Sequence, residues 1–270
     1  MQSLEHAVPH LRGDKDICLA AVKKSGSALR YFCSRLRGDK EVVMAAVTNN
    51  GNALKFSSGM LQADKDIVLR AVEQSPRAII YASTSLRKDR DIAILVVSQC
   101  GGHLIDGTCH GFLSDKEVVL AAVIKDGYIL QFLPGKLQGD RDVVFAAVRS
   151  YPYALKSAVG KAVEDKDIVL EAVKAVGFSL KYASSELQND EEVVLCAVRN
   201  NNRALKYASE EMKDREDIVI AALEAGPCVI KYASERIRKL VSSISDDCGN
   251  CLESLLRLQE MRRSKSAKVY

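Results

Sequence analysis

The chain has 270 residues, of which 47% are hydrophobic and 27% are charged, and these proportions are ample for a buried core. Its net charge of +4 is too small to imply a nucleic-acid ligand by itself. The sequence contains no apolar run near the roughly 18 residues that a membrane-spanning helix needs, and its N-terminus lacks the pattern of a signal peptide.

Repetition dominates the chain from residue 14 to residue 239. An acidic residue stands directly before an apolar run nine times, at intervals of 25 residues with one interval of 26. These residues are Asp16, Glu41, Asp66, Asp91, Glu117, Asp142, Asp167, Glu192 and Asp217. Two positions earlier an aspartate stands in eight repeats, and Arg215 replaces it in the ninth. A fixed period of this length is typical of solenoids, and we predict an all-α solenoid of about nine 25-residue two-helix repeats.

The flanks of the array follow the pattern less well. Leu4 falls on the same column as Leu29, so residues 1–13 read as the second half of an incomplete repeat. Either Met1 is an internal boundary, or a further segment covers that face. Residues 240–270 leave the pattern and predict a capping amphipathic helix followed by a basic tail.

The first half of each repeat predicts a helix, as in residues 165–173 (D-K-D-I-V-L-E-A-V). Asp165 suits an N-cap position, and Asp167 places negative charge where the helix dipole favours it. A buried strand is the alternative interpretation of the apolar run. Paired alanines such as Ala121 and Ala122 argue against it, because alanine is depleted in strands. We therefore expect helices over residues 15–24 and their equivalents.

The second half predicts another short helix, over residues 26–33 and their equivalents. Its first column holds Gly26, Gly51, Pro76, Gly101, Gly127, Pro152, Gly177, Asn202 and Pro227. Proline excludes a left-handed conformation there but suits the first turn of a helix. The preceding column is expected to supply N-caps at Ser25, Asn50, Ser75, Asp126 and Asn201. A linker such as Leu36-Arg37-Gly38 closes the unit, and its leucine is expected to fill the joint between neighbouring repeats.

One column of the first helix is almost invariably alanine, which predicts close helix–helix contacts. Its members are Ala21, Ala46, Ala71, Ala122, Ala147, Ala172, Ala197 and Ala222, with Val96 in the fourth repeat.

The pattern D-K-E-V-V-L-A-A-V, followed by G-x-A-L-x-Y-A-S-x-x-L-x-x-D, resembles the family known as domain of unknown function 4116. Its unit spans two of these repeats, and the resemblance covers roughly residues 1–239. The fourth and sixth repeats fit least well. The resemblance implies the repeat fold and no particular activity.

A basic column and an adjacent aromatic column recur on the second helix. The basic residues are Arg30, Lys55, Lys156, Lys181, Lys206 and Lys231; the aromatic ones are Tyr31, Phe56, Tyr81, Phe132, Tyr182, Tyr207 and Tyr232. One such pair per repeat is a way in which helical arrays bind single-stranded RNA. Alternatively, the rings fill the core between repeats and the cations coat the outer face. The recurring acidic columns are expected to neutralise much of the positive charge.

Three central repeats lack the basic residue and carry Ile80, Ile105 and Gln131 instead. If this column is exposed, these residues form an apolar window suited to a partner protein. If it is partly buried, the array bends there instead. We expect the surface around Ile80, Ile105 and Gln131 to be the main interaction site.

The fourth repeat also carries Cys100, His103, Cys109 and His110 within eleven residues. Adjacent cysteine and histidine do not easily ligate one ion, so we expect a degenerate helix and no metal site. Cys248 and Cys251 form a lone C-x-x-C without a partner pair. The sequence contains no phosphate-binding glycine-rich loop and no recognisable triad, and we expect neither catalysis nor a cofactor.

The sequence therefore favours a non-enzymatic scaffold that binds other proteins, with single-stranded nucleic acid as the alternative ligand. Cys18 and Cys196 lie within apolar helical runs, which is typical of free thiols in a reducing compartment. We therefore expect an intracellular protein, with the cytoplasm as the favoured compartment.

Overall fold

The computed structural model describes residues 11–104, 109–243 and 256. Within these ranges the secondary structure consists of helices, and no described residue lies in a β-strand. The prediction of an all-α repeat protein is confirmed. The strand alternative is wrong, because the apolar run at residues 168–173 lies inside the α-helix Lys166–Ala175. None of the described helices is long and apolar enough to cross a lipid bilayer.

A long α-helix opens each repeat, at the positions that the sequence predicted. These helices are α1 (Lys15–Lys24), α2 (Lys40–Asn49), α3 (Lys65–Gln74), α4 (Arg90–Gln99), α5 (Lys116–Lys125), α6 (Arg141–Ser150), α7 (Lys166–Ala175), α8 (Glu191–Asn200) and α9 (Glu216–Glu224). The predicted caps are confirmed: the Asp64 carboxylate accepts the backbone N–H of Asp66 and of Ile67, at 3.1 and 3.2 Å. An aspartate caps α1 to α8 in this way, whereas Arg215 before α9 makes no cap bond.

A short 3-10 helix follows each long one. These are η1 (Gly26–Tyr31), η2 (Gly51–Phe56), η3 (Pro76–Tyr81), η4 (Gly101–Leu104), η5 (Gly127–Phe132), η6 (Pro152–Ser157), η7 (Gly177–Tyr182), η8 (Asn202–Tyr207) and η9 (Pro227–Tyr232). The expectation of a helix over residues 26–33 needs correction, because the helix ends at Tyr31 and has the tighter 3-10 geometry. Residues i and i+3 eclipse in such a helix, which places Gly26 and Leu29 on one buried face.

The column before each short helix caps it only in part. Asn50, Asp126 and Asn201 accept a backbone N–H from the first turn. Ser25 and Ser75 were expected to do the same, but their side chains make no cap bond. In all of these helices the cap residue's backbone carbonyl accepts an N–H from the first turn, as Ser25 O does from Ala28.

The predicted linkers are themselves helical. The connecting helices are Ser34–Arg37, Gly59–Gln62, Leu86–Lys88, His110–Phe112, Gly135–Gln138, Gly160–Val163, Ser185–Gln188 and Glu210–Lys213, and Leu11–Gly13 and Glu235–Ser242 flank the array. Their leucines fill the joints as expected at positions 36, 61, 137 and 187, while Leu11 and Leu86 are half-buried. The predicted incomplete repeat falls largely outside the described residues, as does most of the predicted C-terminal cap and tail.

The chain divides into two compact units, Met1–Pro134 and Gly135–Tyr270. In the first unit α1 to α5 stack in chain order, and in the second α6 to α9 do so, as do η6 to η9. The core lies between successive helices, where Val42, Val43 and Val47 of α2 are fully buried. The alanine column lies in these contacts as predicted: seven of its eight members, all described, are fully buried, and Ala21 is half-buried.

Ion pairs connect successive repeats through the first residue of each long helix. Lys40 Nζ lies 2.8 Å from Asp64 Oδ2 and 3.2 Å from Asp66 Oδ2, the two acidic columns of the next repeat. We call this arrangement the ladder. Lys15, Lys65, Arg90, Arg141 and Lys166 bind the following acidic pair in the same way. The acidic residues that cap the helices therefore also join the repeats.

The ladder predicts how stability depends on pH. Hydrogen bonds from Lys15 and Lys40 lower the pKa of Asp39 and Asp64 below 3.8, and they raise the pKa of both lysines above 10.5. A carboxyl group whose pKa is lower in the folded state stabilises the fold at neutral pH, and this stabilisation is lost as the pH falls through the folded-state pKa. A lysine whose pKa is higher in the folded state stabilises the fold at neutral pH, and this stabilisation is lost as the pH rises above 10.5. We expect the urea concentration at the unfolding midpoint to decrease when the pH is lowered below about 4 and when it is raised above about 10. A midpoint unchanged from pH 7 to pH 3 contradicts this.

The ladder reverses its polarity between the eighth and ninth repeats. Glu191 occupies the column of the ladder cations, and Arg215 occupies the column of the capping aspartates. Arg215 Nη1 lies 2.8 Å from Glu191 Oε2, and its Nη2 lies 2.6 Å from Asp217 Oδ2. The cation and the carboxylate have thus exchanged positions at Arg215 and Glu191, and the ion pair between these two repeats is kept.

Exchanging these two charges tests the ladder directly. We expect Arg215→Asp to lower the melting temperature, although it restores the aspartate cap, because two carboxylates then face each other. Glu191→Lys should also lower it, and the double variant should recover the loss, a coupling that a double-mutant cycle measures. If Arg215→Asp alone raises the melting temperature, the cap matters more than the ion pair.

Candidate binding surface

The basic column is exposed along its whole length, as predicted. Arg30, Lys55, Lys156, Lys181, Lys206 and Lys231 all have exposed side chains. In the second unit it forms what we call the lysine row, which consists of Lys156, Lys181, Lys206 and Lys231, one from each of η6 to η9. No member of the lysine row forms a hydrogen bond or an ion pair through its side chain with the described part of the chain. Its four ammonium groups are therefore available to an anionic ligand.

The 3-10 geometry adds a second residue beside each lysine. Because i and i+3 eclipse, Phe178 lies next to Lys181 along η7, and Arg203 lies next to Lys206 along η8. Arg203 is exposed and likewise makes no ion pair with described residues. The helices η6 to η9 contain no acidic residue. The exposed face of these four helices is cationic.

The aromatic column is neither buried in the core nor fully exposed. The rings of Tyr182, Tyr207 and Tyr232 are half-buried, so each ring packs partly against the protein and keeps part of its surface exposed. The Tyr207 ring, for example, lies edge to face with Phe178 of the preceding repeat, at 6.1 Å between centroids. The Lys231 ammonium lies 5.1 Å from the centroid of the Tyr232 ring, within cation–π range. Each tyrosine therefore offers an apolar ring beside a cation.

The acidic columns form no ion pair with the lysine row in the described part of the chain. Asp190 Oδ2 binds Lys166 at 2.8 Å, and Glu192 Oε2 binds the same ammonium at 2.9 Å. Each rung of the ladder thus joins one cation to two carboxylates and keeps a surplus of negative charge on the long helices. The lysine row lies on other elements and keeps its ammonium groups free of ionic partners among the described residues.

The apolar window of the first unit is only partly described. Ile80 has half of its side chain exposed, and Gln131 is exposed. Ile105 lies outside the described residues. Near the end of the same unit Tyr128 and Phe132 are about half exposed, and their rings contact edge to face at 5.8 Å. The described part of the window consists of the exposed side chains of Ile80 and Gln131.

The cysteine–histidine cluster is also only partly described. Cys100 is exposed and Cys109 is buried, whereas the side chains of His103 and His110 lie outside the described set. Among described residues no group of three metal-ligating side chains comes together. Cys248 and Cys251 fall outside the described residues. The prediction that the cluster is a degenerate helix stays untested, because residues 105–108 lie outside the described residues.

Sequence reasoning missed a groove on the long helices. Leu170, Leu195 and Cys196 line a shallow groove of about 570 Å³ between α7 and α8. A similar groove of about 540 Å³, which includes Met44, lies beside α2. The signal was the run of three apolar residues, such as I-V-L, that opens each long helix. Three consecutive residues span about 200° of a helix, so the third cannot face the same core.

These features define a class of protein: an α-helical repeat protein in which the repeats of each compact unit stack in chain order. One family model matches the chain six times in tandem, at residues 2–37, 14–62, 64–105, 115–158, 165–213 and 203–238. The chain belongs to this family, whose description is Domain of unknown function (DUF4116). No curated protein and no solved structure matches the chain.

Proposed function

We propose that the chain is a non-enzymatic scaffold that binds a partner protein, and that the exposed face of η6 to η9 is its main binding surface. The observation that supports this is the lysine row, whose four cations have no acidic partner while the neighbouring acidic columns are held in the ladder. Exposed cations without ionic partners favour an oppositely charged ligand.

The charge of the chain favours protein over nucleic acid as the partner. The net charge is only +4, whereas nucleic-acid surfaces carry a marked basic excess.

Single-stranded nucleic acid is the second candidate ligand. The half-buried rings of Tyr182, Tyr207 and Tyr232 beside unpaired cations support it, because bases stack on aromatic side chains with about 1–3 kcal/mol each.

We retain the window of Ile80, Ile105 and Gln131 as a further protein contact in the first unit. Exposed apolar side chains such as Ile80 lose unfavourable contact with water when a partner covers them. Replacing Ile80→Glu together with Ile105→Glu should reduce partner capture and leave the helical circular dichroism unchanged. Collapse of helicity identifies these residues as core instead.

We also propose that the protein acts without metal or cofactor in a reducing compartment such as the cytoplasm. The described cysteines are free thiols. Burial raises the pKa of Cys18 to about 12, so that this thiol stays protonated at neutral pH and behaves as a packing residue.

Affinity capture with and without nuclease tests the proposed function. We expect a set of proteins that is retained after nuclease treatment and lost with Lys181→Gln plus Lys206→Gln. The matched control is Lys174→Gln plus Arg199→Gln, which removes two exposed cations from α7 and α8. Capture that nuclease abolishes supports the nucleic-acid candidate. Equal loss with both double variants shows that net charge, and not this surface, is responsible.

A further inference from the structure

The lysine row lies on a regular scaffold, and its spacing restricts the shape of a ligand. Helices η7, η8 and η9 contact one another in order, and stacked helices lie roughly 8–10 Å apart. Equivalent lysines therefore recur at about that distance. A ligand that satisfies all four must present one anion every 8–10 Å on a single face.

Chain conformations differ in whether they meet this condition. An extended β-strand places same-face side chains two residues apart, at about 6.6 Å, which is too short. A polyproline II helix has three residues per turn and a rise of about 3.1 Å, so every third side chain shares a face at about 9 Å. The roughly 8–10 Å expected between stacked helices is close to one turn of this helix.

The aromatic column gives a second, independent reason for the same conformation. Half-buried rings at Tyr182, Tyr207 and Tyr232 stand beside consecutive cations. Grooves lined by aromatic side chains are the usual binding sites of proline-rich segments in the polyproline II conformation. The ring offers a surface for proline, while the adjacent ammonium group pairs with a carboxylate.

We propose that the exposed face of η6 to η9 binds an acidic, proline-containing segment in the polyproline II conformation, with Asp or Glu at every third position. This inference rests on the proposed function, because it names the chemistry of the partner. Four carboxylates separated by three turns span about 28 Å and ten residues. An α-helix with one acidic residue in seven also repeats at about 10 Å, but it presents a cylinder and no proline to the rings.

Fluorescence anisotropy with synthetic peptides and the full chain tests the inference. The probe is a twelve-residue peptide of four Glu-Pro-Pro triplets, and the matched control has the same composition with all four glutamates in one block. We expect the triplet peptide to bind more tightly than the block peptide, and its affinity to fall as salt screens the charges. A peptide of Gln-Pro-Pro triplets should bind least.

Variants then locate the binding site. Lys181→Gln plus Lys206→Gln should weaken the triplet peptide about threefold to tenfold, whereas Lys174→Gln plus Arg199→Gln should leave its affinity unchanged. Equal binding of the triplet and block peptides overturns the proposed polyproline II ligand and leaves the proposed function intact. Tighter binding of an acidic helical peptide than of the triplet peptide has the same two consequences. Binding of a twelve-nucleotide oligouridylate with no binding of any peptide overturns both.

Discussion

The Gly51→Ala variant is expected to lose about 1–3 kcal/mol of unfolding free energy. A Cβ atom added at Gly51 would overlap the carbonyl oxygen of Ala71 and would lie 3.0 Å from Ser75 Cβ, both in the next repeat. That oxygen accepts the backbone N–H of Ser75 at 2.9 Å at the end of α3. It therefore cannot retreat without breaking the last turn of α3, and the added methyl group must separate the repeats.

Gly59→Ala provides the matched control in the same repeat. An added Cβ at Gly59 has no atom within 4 Å, and the residue opens the connecting helix Gly59–Gln62. Because alanine restricts the unfolded chain and favours helix, this variant should be neutral or up to about 1 kcal/mol more stable. Urea unfolding measures both variants. Equal destabilisation of the two contradicts the close approach as the cause.

The Ala172→Leu variant is expected to cost about 1–3 kcal/mol through overpacking. Ala172 has no exposed surface, and it lies in α7, which packs against the long helices on either side within the second unit. Three additional heavy atoms at this position force neighbouring side chains off their rotamers. The interfaces with α6 and α8 are where the strain is expected.

The control for this substitution lies in the same helix. Ala175→Leu adds the same atoms at an exposed position, and exposed substitutions usually change stability by less than about 0.5 kcal/mol. Thermal unfolding followed by circular dichroism at 222 nm compares the two. A melting temperature for Ala172→Leu equal to that of Ala175→Leu refutes close packing of the alanine column.

The period, the helical character and the caps of the long helices could be predicted from sequence because their causes are local. An aspartate cap binds N–H groups two and three residues further along, as Asp64 does, so a window of ten residues contains the whole interaction. The proline column is also a local signal, because the fixed φ of proline excludes a left-handed conformation at its position whatever the tertiary structure. Among described residues only Gly160 and Gly226 have positive φ.

The tertiary structure alone decided the rest. The second helix has 3-10 geometry, and Gly51 is required by the approach of Ala71 from the next repeat. The ladder joins Lys40 to Asp64 and Asp66, 24 and 26 residues away. Counting charges along the sequence therefore shows that acidic and basic columns recur, but not which residues pair. Ion pairs form between neighbours in space, and only the stacking of repeats determines which acidic residue meets which lysine and which lysines keep no partner.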